Sequence, residues 1–344
     1  MEVTEHGFES PTLPLDVTIH TSYQSFSAWE VLCIFNHLVY TVAPINAMIR
    51  KDPVQNNGRL TMHVDLDKLY NWLEESRHSA MSSEIFRIGT VTGWRRWISG
   101  EFGPSNFERG LLLHRLVELT SAKDILELGT GRGFASICMG MASETYQLNT
   151  RITTIDPTSP GNSQEWPIRL DTEDTVVRSS RNEMWAKYVP KKFTQNIHQI
   201  TSTSFTELKK LLRANRQFDI IFIDAGHDTF SVAHDVAYAI PLLRREGVLV
   251  LDDFSPTEWY GLGAIMVLPH LRRFFSDVVA LRTDGVIYPS SASGRQESGM
   301  LVATGLGDHD FKVKPLRMIW WRLVWLAIWF SYTRTWLFPL SKKR

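Results

Sequence analysis

From about residue 106 to 306 short apolar runs alternate with helical runs, separated by turns. The strands read "KDILELG", "RITTID", "NIHQIT", "FDIIFID" and "GVLVLDD", and the helices between them include "RGFASICMGMAS", "TELKKLLRAN" and "TFSVAHDVAYAIPLLRRE". Strands that are apolar on both faces need cover on both faces, which is the signature of a parallel sheet sandwiched between helices. The series closes on "DVVALRTDGVIYP" and "SGMLVATGL", two strands joined with no helix between them. That ending predicts an α/β, doubly wound, mostly parallel sheet of seven strands, the last inserted antiparallel.

The working residues fall at strand ends. "DILELGTGRGFAS" places Gly129, Gly131 and Gly133 between a strand and a helix, where glycines allow a sharp turn and the close approach of a ligand. The spacing is G-x-G-x-G, with Phe134 where the dinucleotide fingerprint has its third glycine, which disfavours an NAD-dependent oxidoreductase. Glu127, inside the strand end, suits a cationic ligand better than a pyrophosphate. Asp156 closes "RITTID", where a carboxylate can accept from a ribose diol. Thr203 and Ser204 follow the third strand, where an adenine ring would lie. Asp224 ends the fourth strand and Asp252 and Asp253 end the fifth. Three converging carboxylates repel unless something cationic lies between them, and oxygen donors of this kind suit Mg²⁺ or another hard divalent ion. His227, three residues past Asp224, is placed to take a proton from a hydroxyl. Asp228 is expected to cap the following helix.

The set "ELGTGRG", "TTID" and "FDIIFIDAGHDTF…LLRREGVLVLDDF" resembles the class I S-adenosylmethionine-dependent methyltransferases. Within them it is similar to the small-molecule O-methyltransferases, including the cephalosporin-hydroxylase-like branch of methyltransferase family 24. The resemblance implies that Glu127, Gly129, Gly131, Gly133 and Asp156 hold S-adenosylmethionine. It implies a metal site on Asp224, Asp252 and Asp253, and methyl transfer to a hydroxyl of a small molecule or sugar, with His227 and Asp224 as catalytic residues. Departures are Thr203, where an acid often stands, and three Asp where the family has two with an Asn or another acid. An inactive scaffold of the same fold at a membrane is the alternative; retention of the glycine loop, Asp156 and the acid cluster argues against it.

Outside 106–306 the chain carries a helical N-terminal extension, 1–105, and an apolar tail, 307–344. The tail "MIWWRLVWLAIWFSYTRTWLFPLSKKR" holds five of the twelve tryptophans, Trp320, Trp321, Trp325, Trp329 and Trp336. Arg322 and Arg334 leave its apolar core shorter than the ~20 residues of a spanning helix. An interfacial anchor, a short tilted span and a helix packed on protein all remain open. Lys and Arg number 37 and so do Asp and Glu, so no basic face argues for nucleic acid. Cys33 and Cys138, far apart, read as reduced thiols of a cytoplasmic protein, peripheral or anchored at a membrane through the tail.

Overall fold

The computed structural model describes residues 80–96, 100–104, 107–255, 261–283 and 299–307. The expected helices of the N-terminal extension before residue 80, the aromatic pair Trp259–Tyr260 and the tryptophan tail lie outside the described residues. The chain runs through α1 (Ala80–Thr92), β1 (Trp94–Arg96), β2 (Phe102–Pro104), α2 (Glu108–Thr120), β3 (Asp124–Leu128), α3 (Phe134–Thr145) and β4 (Arg151–Asp156). There follow β5 (Ser163–Leu170), β6 (Glu173–Ser180), α4 (Arg181–Tyr188), α5 (Lys191–Thr194), β7 (Ile197–Thr201) and α6 (Ser204–Arg213). The last part comprises β8 (Phe218–Ile223), α7 (Thr229–Leu242), β9 (Leu243–Phe254), α8 (Leu262–Phe274), β10 (Phe275–Arg282) and β11 (Gly299–Leu306).

Among the described residues seven strands form one sheet in the order β10-β11-β9-β8-β3-β4-β7. β9, β8, β3, β4 and β7 run parallel, while β11 pairs antiparallel with both β9 and β10. The antiparallel insertion read from the last two strands is present. The helix before β9 ends at Leu242, so "LLRRE" belongs in part to the strand.

Side-chain alternation along the strands sorts the core into two layers. Ile125, Ile220, Phe222, Val248 and Val250 face one side of the sheet, where Leu112, Leu113 and Leu116 of α2 and Ile137 of α3 cover them. Leu126, Ile221, Ile223, Leu249 and Leu251 face the other, against Val236 and Ala239 of α7 and Leu271 of α8. The same parity fixes the ends of the strands. Glu127, Asp224 and Asp252 continue the rows of Ile125, Phe222 and Val250 toward α2.

A two-stranded hairpin, β5–β6, is added after β4. The sequence pattern did not announce it, because Pro167 sits inside β5 and acids crowd the turn. Pro167 pairs with Val176, Asp171 turns with φ 53°, and Trp166 and Ile168 bury completely on one face beside Val91 and Met184. A proline is tolerated here since a two-stranded ribbon is all edge.

Candidate active site

The glycine loop packs directly on the acid edge. Gly129 donates to the Ile155 carbonyl at 2.8 Å, and the Asp224 amide donates to the Leu128 carbonyl at 2.8 Å. Gly129 (φ 90°) leaves no room for a side chain, since a Cβ would lie 1.9 Å from the Asp224 carbonyl oxygen. Gly131 (φ 52°) differs: no atom lies within 4 Å of a Cβ built there. Its surroundings are open, as close approach of a ligand to the backbone requires.

Beneath the loop Glu127 is 1 % exposed. Its Oε2 accepts from the Ser136 and Thr154 hydroxyls, while Oε1 is buried with no partner. Burial pushes its carboxyl up to about 7, against the two hydroxyl hydrogen bonds and the charges of Arg181 and Arg109. Asp156 fastens the loop from the side: Oδ2 accepts from the Gly131 amide at 2.8 Å and Oδ1 from the Thr158 amide at 2.7 Å. Each carboxylate oxygen has a second lone pair, so the expected diol contact is compatible with these bonds. Arg181, 2 % exposed, clamps the same region, donating to the Gly131 carbonyl and to Gln199 Oε1 at 2.9 Å each. It stands 3.5 Å from Asp156 Oδ1. The sequence pattern gave no sign of Arg181. Thr203 and Ser204 begin α6 at the adjacent strand end; the Thr203 hydroxyl bonds Thr206 Oγ1 at 3.2 Å.

The structure brings the expected acids together and adds a cation the sequence reading missed. Arg109, in the first turn of α2, donates through Nη1 to Asp224 Oδ2 at 3.1 Å and, through the same nitrogen, to Asp252 Oδ2. Asp253 takes no part in that bridge. Its Oδ2 lies 2.6 Å from His227 Nδ1, and its backbone turns with φ 55°. The ladder slips at this point: Leu251 pairs with Leu301 and Phe254 with Gly299, so Asp252 and Asp253 together oppose Met300. Such a bulge re-aims side chains at a sheet edge. Arg109 had a readable signal, for it lies on the stripe of Leu112, Leu113 and Leu116, a charge where the helix is otherwise buried.

Burial and the neighbouring Asp252 push Asp224 well above the usual carboxylate range. Burial likewise raises Asp252, opposed by Arg109. Burial also works to raise Asp253, but the His227 hydrogen bond outweighs it and the carboxyl titrates low. The Asp253 hydrogen bond raises His227 in turn. Burial works against the Arg109 charge, and the Asp252 and Asp224 carboxylates more than offset it.

These residues do not fit the expected divalent ion. The guanidinium occupies the place between Asp224 and Asp252 where the ion was expected, and Asp253 is engaged by His227. Among the described residues no group of three or more His, Cys, Asp or Glu side chains is arranged to hold a metal. A bound divalent ion was expected among these acids; the positive charge between Asp224 and Asp252 is the Arg109 guanidinium. Asp228 caps α7 as expected, accepting from the Phe230 and Ser231 amides at 3.0 Å each. Among the described residues no helix is long and apolar enough to cross a membrane.

Residues 126–254 match the family model described as a methyltransferase domain. No curated protein matches the chain. Among solved structures, the O-methyltransferase TomG from Streptomyces achromogenes, involved in tomaymycin synthesis and solved with SAM, is 18 % identical. The match covers 71 % of this chain and 100 % of that one, at a TM-score of 0.44. An O-methyltransferase from Bacillus cereus, solved with SAH, is 14 % identical over 70 % of this chain and 99 % of that one, at a TM-score of 0.42.

Proposed function

We propose that the chain, whose residues 126–254 match a methyltransferase domain, transfers a methyl group from S-adenosylmethionine to a hydroxyl of a small molecule or sugar, with His227 as the general base. The observation that carries the proposal is the His227–Asp253 pair at 2.6 Å, on the same sheet edge as the glycine loop. Asp253 accepts the Nδ1 proton, fixes the imidazole's tautomer and leaves Nε2 to receive the acceptor's proton. Asp224, three residues away, lines the same cavity as His227 and Asp253.

The loop residues fit S-adenosylmethionine. Gly131 offers open space, and the unpartnered, buried Glu127 Oε1 gives a cationic ligand something to meet. Glu127, Gly129, Gly131, Gly133 and Asp156 would hold it, with Thr203 and Ser204 at its adenine end. When bound, it supplies a methyl group on a sulfonium, whose sulfur keeps the electron pair of the broken bond as the acceptor oxygen forms the new one. The chain's own task is then alignment of the acceptor and removal of its proton. Asp156 and Arg181 hold the loop, Asp253 holds His227, and no step requires a metal.

Isothermal titration should show binding of S-adenosylmethionine and S-adenosylhomocysteine but not NAD. Labelled methyl should pass from the cofactor to a hydroxylated compound in a metabolite extract. Cofactor binding without any transfer, across acceptors of every class, would leave a binding protein instead.

A further inference from the structure

Resting on that reading of the edge, we propose that Arg109 is a built-in monovalent cation standing in the place of a divalent ion, and that the site works without metal. Four observations converge on it. First, one nitrogen, Nη1, reaches carboxylates from two neighbouring strands, Asp224 and Asp252, which is the bridging position a shared ion would take. Second, the place is largely screened from solvent, Asp224 being the most exposed of the three at 21 %. The Arg109 and Asp252 side chains are 11 % and 2 % exposed. Mg²⁺ keeps several waters and demands octahedral oxygen donors, whereas a guanidinium is weakly hydrated and suited to burial beside carboxylates.

Third, Arg109 is held from several sides. Its guanidinium lies 5.9 Å from the centroid of the Phe134 ring, in the first turn of α3, and its helix face is fixed by the burial of Leu112, Leu113 and Leu116. Strand parity aims Asp224 and Asp252 at the same side. Fourth, the third acid is withdrawn, since Asp253 is bound to His227. The two acids that remain have their Oδ2 atoms turned onto the guanidinium rather than toward an ion.

The substitution changes what the cation can do. A divalent ion would bind the acceptor oxygen and lower its pKa; a guanidinium engaged by two carboxylates only balances their charge. Arg109 therefore acts through Asp224 and Asp252, and is a positioning residue. Proton removal falls to His227 alone.

Binding of Mn²⁺ to the full-length chain, followed by electron paramagnetic resonance, tests this without acceptor or cofactor. It stays informative even if methyl transfer is never observed. The wild-type chain is expected to hold no Mn²⁺ at the acid pair. Arg109→Gln, which vacates the bridge, is expected to gain one bound Mn²⁺ per chain, lost again in Arg109→Gln/Asp252→Asn. Mn²⁺ bound to the wild type and removed by Asp252→Asn would overturn the proposal, as would a folded Arg109→Gln that binds none. Should Arg109→Gln fail to fold, the wild type decides alone: no Mn²⁺ sustains the proposal, and Asp252-dependent Mn²⁺ ends it. The methyl-transfer reading fails separately, by absence of S-adenosylmethionine binding.

Discussion

Glu127 is a carboxyl group held where its charge is disfavoured, and the consequence can be read as a slope of stability against pH. Its ordinary value is 4.5, and burial raises it to about 7 in the folded chain. The folded state therefore holds a proton that the unfolded state has released. Its stabilising contribution is complete below about pH 4.5 and is lost as pH rises to about 7. At about 1.36 kcal/mol per pH unit, that interval corresponds to about 3 kcal/mol. Glu127→Gln imitates the protonated form at every pH. Its amide oxygen can accept from Ser136 and Thr154, and its NH₂ takes the place of the unpartnered Oε1. The variant and the wild type, unfolded by heat without cofactor, should have similar Tm near about pH 5. Near about pH 8 the variant should melt about 6 °C higher, at the lower end of the shift per kcal/mol for large domains. S-adenosylmethionine should bind the variant more weakly, since the charge that would meet the sulfonium is gone. A difference in Tm that does not change with pH would refute the argument. A wild type that gains on the variant as pH rises would show that the carboxylate is stabilised as an anion.

The other predictions concern the loop and the acid edge. Gly131→Ala, at φ 52° with open space around it, should fold with a loss of about 1–2 kcal/mol from the left-handed backbone and lose cofactor affinity in titration calorimetry. Gly133→Ala, whose Cβ would lie 2.1 Å from the Trp185 ring, should lower Tm much further. His227→Ala should reduce turnover by about 10²–10⁴-fold while sparing cofactor binding; unchanged turnover would remove the base. Because Asp253 raises His227 above its ordinary 6.5 and only the neutral ring accepts a proton, the wild-type rate should climb as pH passes through that raised value, and the climb should vanish in His227→Ala. Asp252→Ala leaves a buried guanidinium with half its compensation and should destabilise by about 3 kcal/mol in denaturant titrations, far more than Asp253→Asn, whose site is more exposed. With no divalent ion to acidify the acceptor, phenolic or enolic hydroxyls should be methylated faster than aliphatic alcohols in an acceptor screen.

The central sheet was legible because its signal is local. Runs such as "DILEL" and "FDIIFI" are apolar throughout, as strands covered on both faces must be, and "GTGRG" marks the turn between strand and helix. The β5–β6 hairpin was not legible, because Pro167 and the acids around Asp171 carry loop signals, and only the burial of Trp166 and Ile168 makes strands of them. At the acid edge the sequence reading named a divalent ion, a choice the Coulomb argument alone did not dictate. Repulsion required a positive charge among Asp224, Asp252 and Asp253, and could not say whether a bound ion or a residue of the chain would supply it. Arg109 comes from an element over a hundred residues away in sequence from either acid it bridges, so only tertiary structure could pair them. The pairing of Asp253 with His227 was hidden in the same way by the slip in the ladder.

Arg109 stands ahead of residue 126, where the match to the methyltransferase domain begins. The segment by which such a chain is recognised therefore contains the acids but not their counter-charge. Two chains could agree at every position of that segment and still differ in whether they need a metal, according to what their preceding helix carries. A fragment cut at the boundary of the match would strand Asp224 and Asp252 without compensation and acquire an appetite for cations foreign to the intact protein. If Arg109 stands in for an ion, the residue aligned with position 109 would sort relatives for metal dependence better than the acids themselves.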